Sequence, residues 1–94
     1  MASYYARVEL HGASWPEDYE DLHTALAKHG FTNCAPYGDG SKRLPTGFYY
    51  ATDRTDDYMK VCQVVCDIAR DTGYKYEVVV IRESASAACL SKKC

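Results

Sequence analysis

No stretch of this sequence approaches the roughly 18–20 consecutive apolar residues that a membrane-spanning helix needs, so no membrane segment is expected. Nor is there an excess of positive charge. Eleven Lys and Arg against 13 Asp and Glu leave a formal net charge of −2. The chain as a whole therefore does not attract nucleic acid, and any RNA or DNA contact must come from a local basic patch. A glycine-rich phosphate loop, a paired-cysteine zinc motif and a serine nucleophile elbow are all missing. Five cysteines form no regular framework, and Met1-Ala2-Ser3 runs straight into the first strand without a leader. Reduced thiols in a cytoplasmic protein are the expectation. Cys62 and Cys66 lie four apart on one helical face. They read as core packing rather than as metal ligands with His23 or His29, because no second ligand pair accompanies them. No metal or organic cofactor is expected.

What the sequence does hold is a large apolar fraction in a short chain. Ninety-four residues at 47% apolar content support one core, not two, and argue against disorder. Nine tyrosines dominate the aromatic content.

Periodicity orders the segments as strand, helix, two strands, helix, strand. In Tyr4–Leu10 the residues Tyr4, Ala6, Val8 and Leu10 alternate with Tyr5, Arg7, Glu9 and His11, so the first set should face a core and the second an open face. Helical spacing covers 15–29, with a capping box in Ser14-Trp15-Pro16-Glu17 and a terminating Gly30. A second helix is expected over 55–72, capped by Thr55 and ended by Gly73. Short β-rich runs occupy 31–35 and 46–52, and Tyr74–Arg82 carries the apolar run Val78-Val79-Val80-Ile81. Two strand–helix crossovers flanking a hairpin predict an α+β domain over 1–83. Its βαββαβ order should close a four-stranded antiparallel sheet with both helices on one face. The small-residue stretch 84–94 is expected to be a flexible basic tail. One helix layer would not cover the Val78–Ile81 run, so self-association as a homodimer is expected.

Several residues could carry chemistry. Cleaving RNA through its own 2′-hydroxyl needs a base on that hydroxyl, an acid on the leaving oxygen and a cation for the developing charge. His11, at the end of a rigid strand and followed by Gly12, is the candidate for proton transfer; its ordinary alternative is a solvent-exposed strand end. Arg7, Lys42, Arg43 and Arg54 are candidates for phosphate, with Lys42-Arg43 in a ten-residue loop, 36–45, long enough to be functional or merely mobile. Tyr49 and Tyr50 are candidates for base stacking. Gly47-Phe48-Tyr49-Tyr50, with Tyr5 on the first strand, resembles the stacking strands of an RRM domain, although Thr46 replaces its basic residue and Asp53 an aromatic. Glu17, Asp18, Glu20 and Asp21 complement the dipole of the first helix and make that surface a poor landing place for phosphate. The same acidic face suits a protein partner.

A wider resemblance covers most of the chain. It rests on Arg7-Val8-Glu9-Leu10-His11-Gly12-Ala13-Ser14-Trp15, Tyr19-Glu20-Asp21-Leu22-His23, Lys28-His29-Gly30-Phe31, Leu44-Pro45-Thr46 and Thr72-Gly73. In these runs the chain resembles the GhoS-like group of small phage and bacterial proteins, the endoribonuclease antitoxins of type V toxin–antitoxin systems. The resemblance implies a ferredoxin-like fold, RNA as partner and cleavage of a toxin messenger. The reading from another class is a phage-encoded protein that binds and blocks a host protein complex without catalysis. The negative charge and the Glu17–Asp21 face favour that alternative, and Lys42-Arg43 favours RNA.

Overall fold

Strand β1 (Ala2–His11) lies at the centre of the sheet, with every second side chain buried as its alternation dictates. Tyr4, Ala6, Val8 and Leu10 are almost wholly inaccessible, whereas Arg7, Glu9 and His11 are exposed. The structure is a computed structural model describing residues 1–37, 40–84 and 89–92. Beside β1 run β4 (Phe48–Arg54) and β5 (Lys75–Arg82), both antiparallel to it, in the order β4-β1-β5. Between β1 and β4 the chain forms a 3-10 turn (Glu17–Tyr19), helix α1 (Glu20–Lys28) and a hairpin of β2 (Cys34–Tyr37) and β3 (Gly40–Arg43). Helix α2 (Tyr58–Arg70) joins β4 to β5.

Leu22 and Leu26 of α1 and Val61, Val65, Ile68 and Ala69 of α2 pack in one cluster with the inward residues of β1 and with Tyr49 and Ala51 of β4. Both helices therefore cover the same face of the sheet. Two tyrosines tie the helical layer to β1 at its ends. The Tyr19 hydroxyl accepts from the Leu10 N–H at 2.9 Å, and the Tyr4 hydroxyl donates to the Asp56 carbonyl at 2.8 Å.

The predicted four-stranded sheet is not what forms; it has three strands. Of the run 31–35, only Thr32 pairs with the sheet, through two backbone hydrogen bonds to Tyr50 of 2.7 and 2.9 Å. At that point the Thr32 hydroxyl donates to the Cys34 carbonyl and the chain turns away. Cys34–Tyr37 then pairs with Gly40–Arg43, so part of the expected ten-residue loop is a hairpin. The physical reason is a competition between two pairings. Pro36 has no N–H to give a sheet edge, and closing a short hairpin costs less chain entropy than extending a distant ladder.

The helix ends differ from expectation in their caps. The Ser14 side chain does not cap α1. Its N–H donates instead to Asp18 Oδ2 at 2.7 Å, and a 3-10 turn precedes the helix. At α2 the cap is Asp57, accepting from the Lys60 N–H at 2.8 Å, rather than Thr55. A shorter α2 begins where that carboxylate can reach the free amides.

The Val78–Ile81 run splits between faces. Val78 and Val80 pack against the core, whereas Val79 and Ile81 are more than half exposed. Cys34 is disulfide-bonded, which corrects the expectation of five reduced thiols; an odd count excludes complete pairing but not one bridge. Among the described residues Cys62, Cys66 and Cys89 are free, with the Cys62 and Cys66 sulfurs 3.9 Å apart on the flank of α2. Of the expected tail, 85–88 and 93–94 lie outside the described residues. The Lys92 carbonyl accepts from the Arg43 N–H at 2.9 Å.

Candidate nucleic-acid interface

The uncovered face of the sheet is built from residues in register on three strands. Tyr5 stands opposite Tyr50 and Ile81, Arg7 opposite Phe48 and Val79, Glu9 opposite Glu77, and His11 opposite Lys75. The pairing makes three patches. At the β4 side the Tyr5 and Tyr50 rings meet with centroids 4.9 Å apart, and the Arg7 guanidinium lies over the Phe48 ring at 5.8 Å. Along edge strand β5, Val79 and Ile81 present apolar surface. At the end nearest Gly12, His11 Nε2 and Glu77 Oε1 share a hydrogen bond of 2.8 Å.

Glu9 completes the last patch. Among the described residues, Glu9, His11 and Glu77 are a set whose donor atoms lie within 4.8 Å of one another, close enough to hold a divalent cation, and all three are exposed. The two carboxylates sit directly across the ladder, an arrangement that like charges disfavour. His11, beside them, moderates it as a hydrogen-bond partner of Glu77.

Other candidates lie elsewhere. Tyr49 points inward, not onto the open face, and is 1% exposed, so it offers no ring to a base. Its hydroxyl is buried without a partner, and burial, followed by the neighbouring Tyr19, pushes it well above the ordinary tyrosine range. An unsatisfied buried hydroxyl costs about 1–3 kcal/mol. Arg54 is engaged as well: it holds Asp56 through two hydrogen bonds, donates to the His29 carbonyl at 2.6 Å and covers the Phe31 ring at 5.1 Å. Its role is to tie the end of β4 to the end of α1. Lys42 pairs with Ala35 inside the hairpin.

Arg43 is exposed on the same hairpin, beside Trp15 and His23 on the helical side of the molecule. His23 is held below its ordinary range by burial first and by the Arg43 charge second, with Glu20 opposing. Arg7, Arg43 and Arg54 therefore do not converge on one phosphate. Of the acidic set, Glu17, Glu20 and Asp21 are exposed, while Asp18 is turned to the Ser14 amide.

Glu77, Trp15 and His23 escaped the sequence reading as site residues. Alternation along β5 would have put Glu77 on the outer face, but its opposition to Glu9 follows only from the register. No family model, curated protein or solved structure matches the chain.

Proposed function

We propose that this protein binds single-stranded RNA across the open face of its sheet and cleaves it by transfer to the 2′-hydroxyl, as its resemblance to the type V antitoxin group implies. The observation that carries the reading is the in-register pairs Tyr5–Tyr50 and Arg7–Phe48, with the diagonal His11–Glu77 hydrogen bond, along one exposed face. Aromatic rings on neighbouring strands stack bases without regard to sequence, and an arginine beside them meets the intervening phosphate. His11, oriented by Glu77, takes the 2′-hydroxyl proton; the 2′-oxygen then bonds to phosphorus as the P–O5′ bond breaks, water protonates the departing 5′-oxygen, and Arg7 stabilises the charge that develops. The step uses no organic cofactor and no metal.

We read the order β5-β1-β4, with Thr32 bridging to Tyr50, as support for a ferredoxin-like sheet whose fourth strand is reduced to one bridge. Val79 and Ile81 fit a homodimer interface along the β5 edge, with a second copy of the chain covering them. We propose a cytoplasmic location on the ground that the substrate is RNA.

The test is direct. Purified full-length chain is mixed with short single-stranded RNA, with chelator and separately with magnesium, and followed by anisotropy and gel. Salt-dependent binding, with products ending in a 2′,3′-cyclic phosphate, is the expected result. Protein that neither binds nor cuts any RNA under either condition overturns the reading. A second reading then leads, that of a phage-encoded protein blocking a host protein complex, favoured by the exposed carboxylates of Glu17, Glu20 and Asp21. Their substitution would be the first step in testing it.

A further inference from the structure

We propose that the cleft between the start of α1 and the β2–β3 hairpin is a nucleotide-binding site, taking a nucleoside monophosphate unit with its base against Trp15 and its phosphate at Arg43. This site is separate from the open sheet face and stands without the reading given to that face.

Two adjoining cavities of about 390 and 380 Å³ share Trp15 and Arg43 as walls. Their remaining linings differ in chemistry. The first is bounded by Glu20, His23 and Asn33, the second by Leu44, Thr46, Cys89 and Lys92. A nucleotide has the same division: a flat base with N–H donors at one end and an anion at the other. Glu20 and Asn33 are acceptors for an exocyclic amino group, and the two cations Arg43 and Lys92 flank the place for a phosphate.

Trp15 is the stacking surface. It remains 41% exposed although the edge of its ring system meets Tyr19 at 5.1 Å and His23 lies 5.1 Å from it on α1. A tryptophan fixed by two ring neighbours, yet open to solvent, is a preorganised platform that loses little freedom on binding. His23 contributes a neutral wall. Burial and the nearby Arg43 hold it below its ordinary range, so it neither repels the guanidinium nor competes for the phosphate. The Nε2 of His23 and the hydroxyl of Tyr49, whose rings meet edge to face at 5.2 Å, are both buried without partners. Such a pair of unsatisfied groups behind a cavity wall is more common at a functional site than in a purely structural core.

Trp15 is the one tryptophan in the chain, so its fluorescence reads the site directly. The full-length protein is titrated with AMP, GMP, CMP, UMP, the corresponding nucleosides, inorganic phosphate and a short single-stranded RNA. A saturable quench is expected with the nucleotides that carry an exocyclic amino group. Nucleosides should bind at least tenfold more weakly, and UMP should be the poorest nucleotide. Arg43→Ala should reduce nucleotide affinity about tenfold and leave nucleoside affinity unchanged. Quenching by free mononucleotides assigns the site to free nucleotides, and quenching by RNA alone assigns it to one nucleotide of a chain. Tyr50→Ala, on the open face, should leave the quench unaltered. No saturable quench by any nucleotide or RNA, or equal affinity for nucleosides and nucleotides in the wild-type protein, overturns the proposal without bearing on the sheet face.

Discussion

Arg54 grips Asp56 with a two-bond fork, Nε to Oδ1 at 2.9 Å and Nη2 to Oδ2 at 2.7 Å. The fork holds the Asp56 carboxyl below the ordinary carboxylate range. A carboxyl depressed in the folded state contributes stability that is complete above its unfolded value of about 4 and lost as pH falls through the folded value. Asp56→Asn should therefore lower stability by about 1 kcal/mol at pH 7 and by less at pH 3. Urea denaturation at the two pH values checks this, and equal losses at both would contradict it.

His11 and Glu77 make a second pair, the one on which the proposed cleavage rests. His11→Ala should slow RNA cleavage by ~10²–10⁴ with the far-ultraviolet spectrum unchanged. Glu77→Gln keeps the shape but weakens the orientation of the imidazole, so a smaller loss is expected, confined to kcat while KM is retained. Single-turnover rates on a short RNA separate the two effects.

For binding, the aromatic pair and Arg7 should divide their contributions. Tyr50→Ala removes a stacking ring and should weaken RNA binding by about 5- to 150-fold, the equivalent of ~1–3 kcal/mol. Arg7→Ala removes one phosphate contact and should reduce the salt slope by about one. Anisotropy titrations across a salt series read both, and an unchanged slope for the Arg7 variant would remove it from the interface.

Gly47 tests the register of β1 against β4. A Cβ there would stand 2.6 Å from the Val8 carbonyl oxygen, and the backbone has φ +80°. Gly12 has nearly the same φ, +81°, but open space around it. Gly12→Ala should cost ~1–2 kcal/mol from backbone conformation alone, and Gly47→Ala clearly more. Equal costs in chemical denaturation would show that the contact with Val8 relaxes freely.

Light scattering at micromolar concentration should return about twice the 10.5 kDa of one chain. Ile81→Asp should return the monomer, because a charge on that apolar edge opposes pairing. A wild-type mass of one chain would count against the dimer.

Most of the secondary structure could be read from residue order alone. The alternation of Tyr4, Ala6, Val8 and Leu10, the two apolar helical stripes and the stops at Gly30 and Gly73 depend on local chemistry, and each is where the pattern puts it. What could not be read was nonlocal. Whether Thr32–Ala35 extends the sheet or folds into a hairpin turns on competing pairings. The two neighbours Tyr49 and Tyr50 look alike in sequence, and only the register of β4 decides which is buried. Arg54 resembled a phosphate ligand because Asp56, two residues on, gives no sign in a sequence that it will claim the guanidinium.

The root of the β2–β3 hairpin is held from both sides. Thr32 bonds doubly to Tyr50, Leu44 N–H donates to the Asn33 carbonyl at 2.7 Å, and the Gly47 carbonyl accepts from Val8 at 2.8 Å. Between these clasps Ala35 is buried, Cys34 is disulfide-bonded and the Arg43 N–H reaches the Lys92 carbonyl, so the stem has anchors of its own. The connection between Tyr37 and Gly40 lies beyond all of these anchors and can be lengthened or exchanged without shifting β4, which makes it the natural graft point for a new recognition tip on an unchanged scaffold.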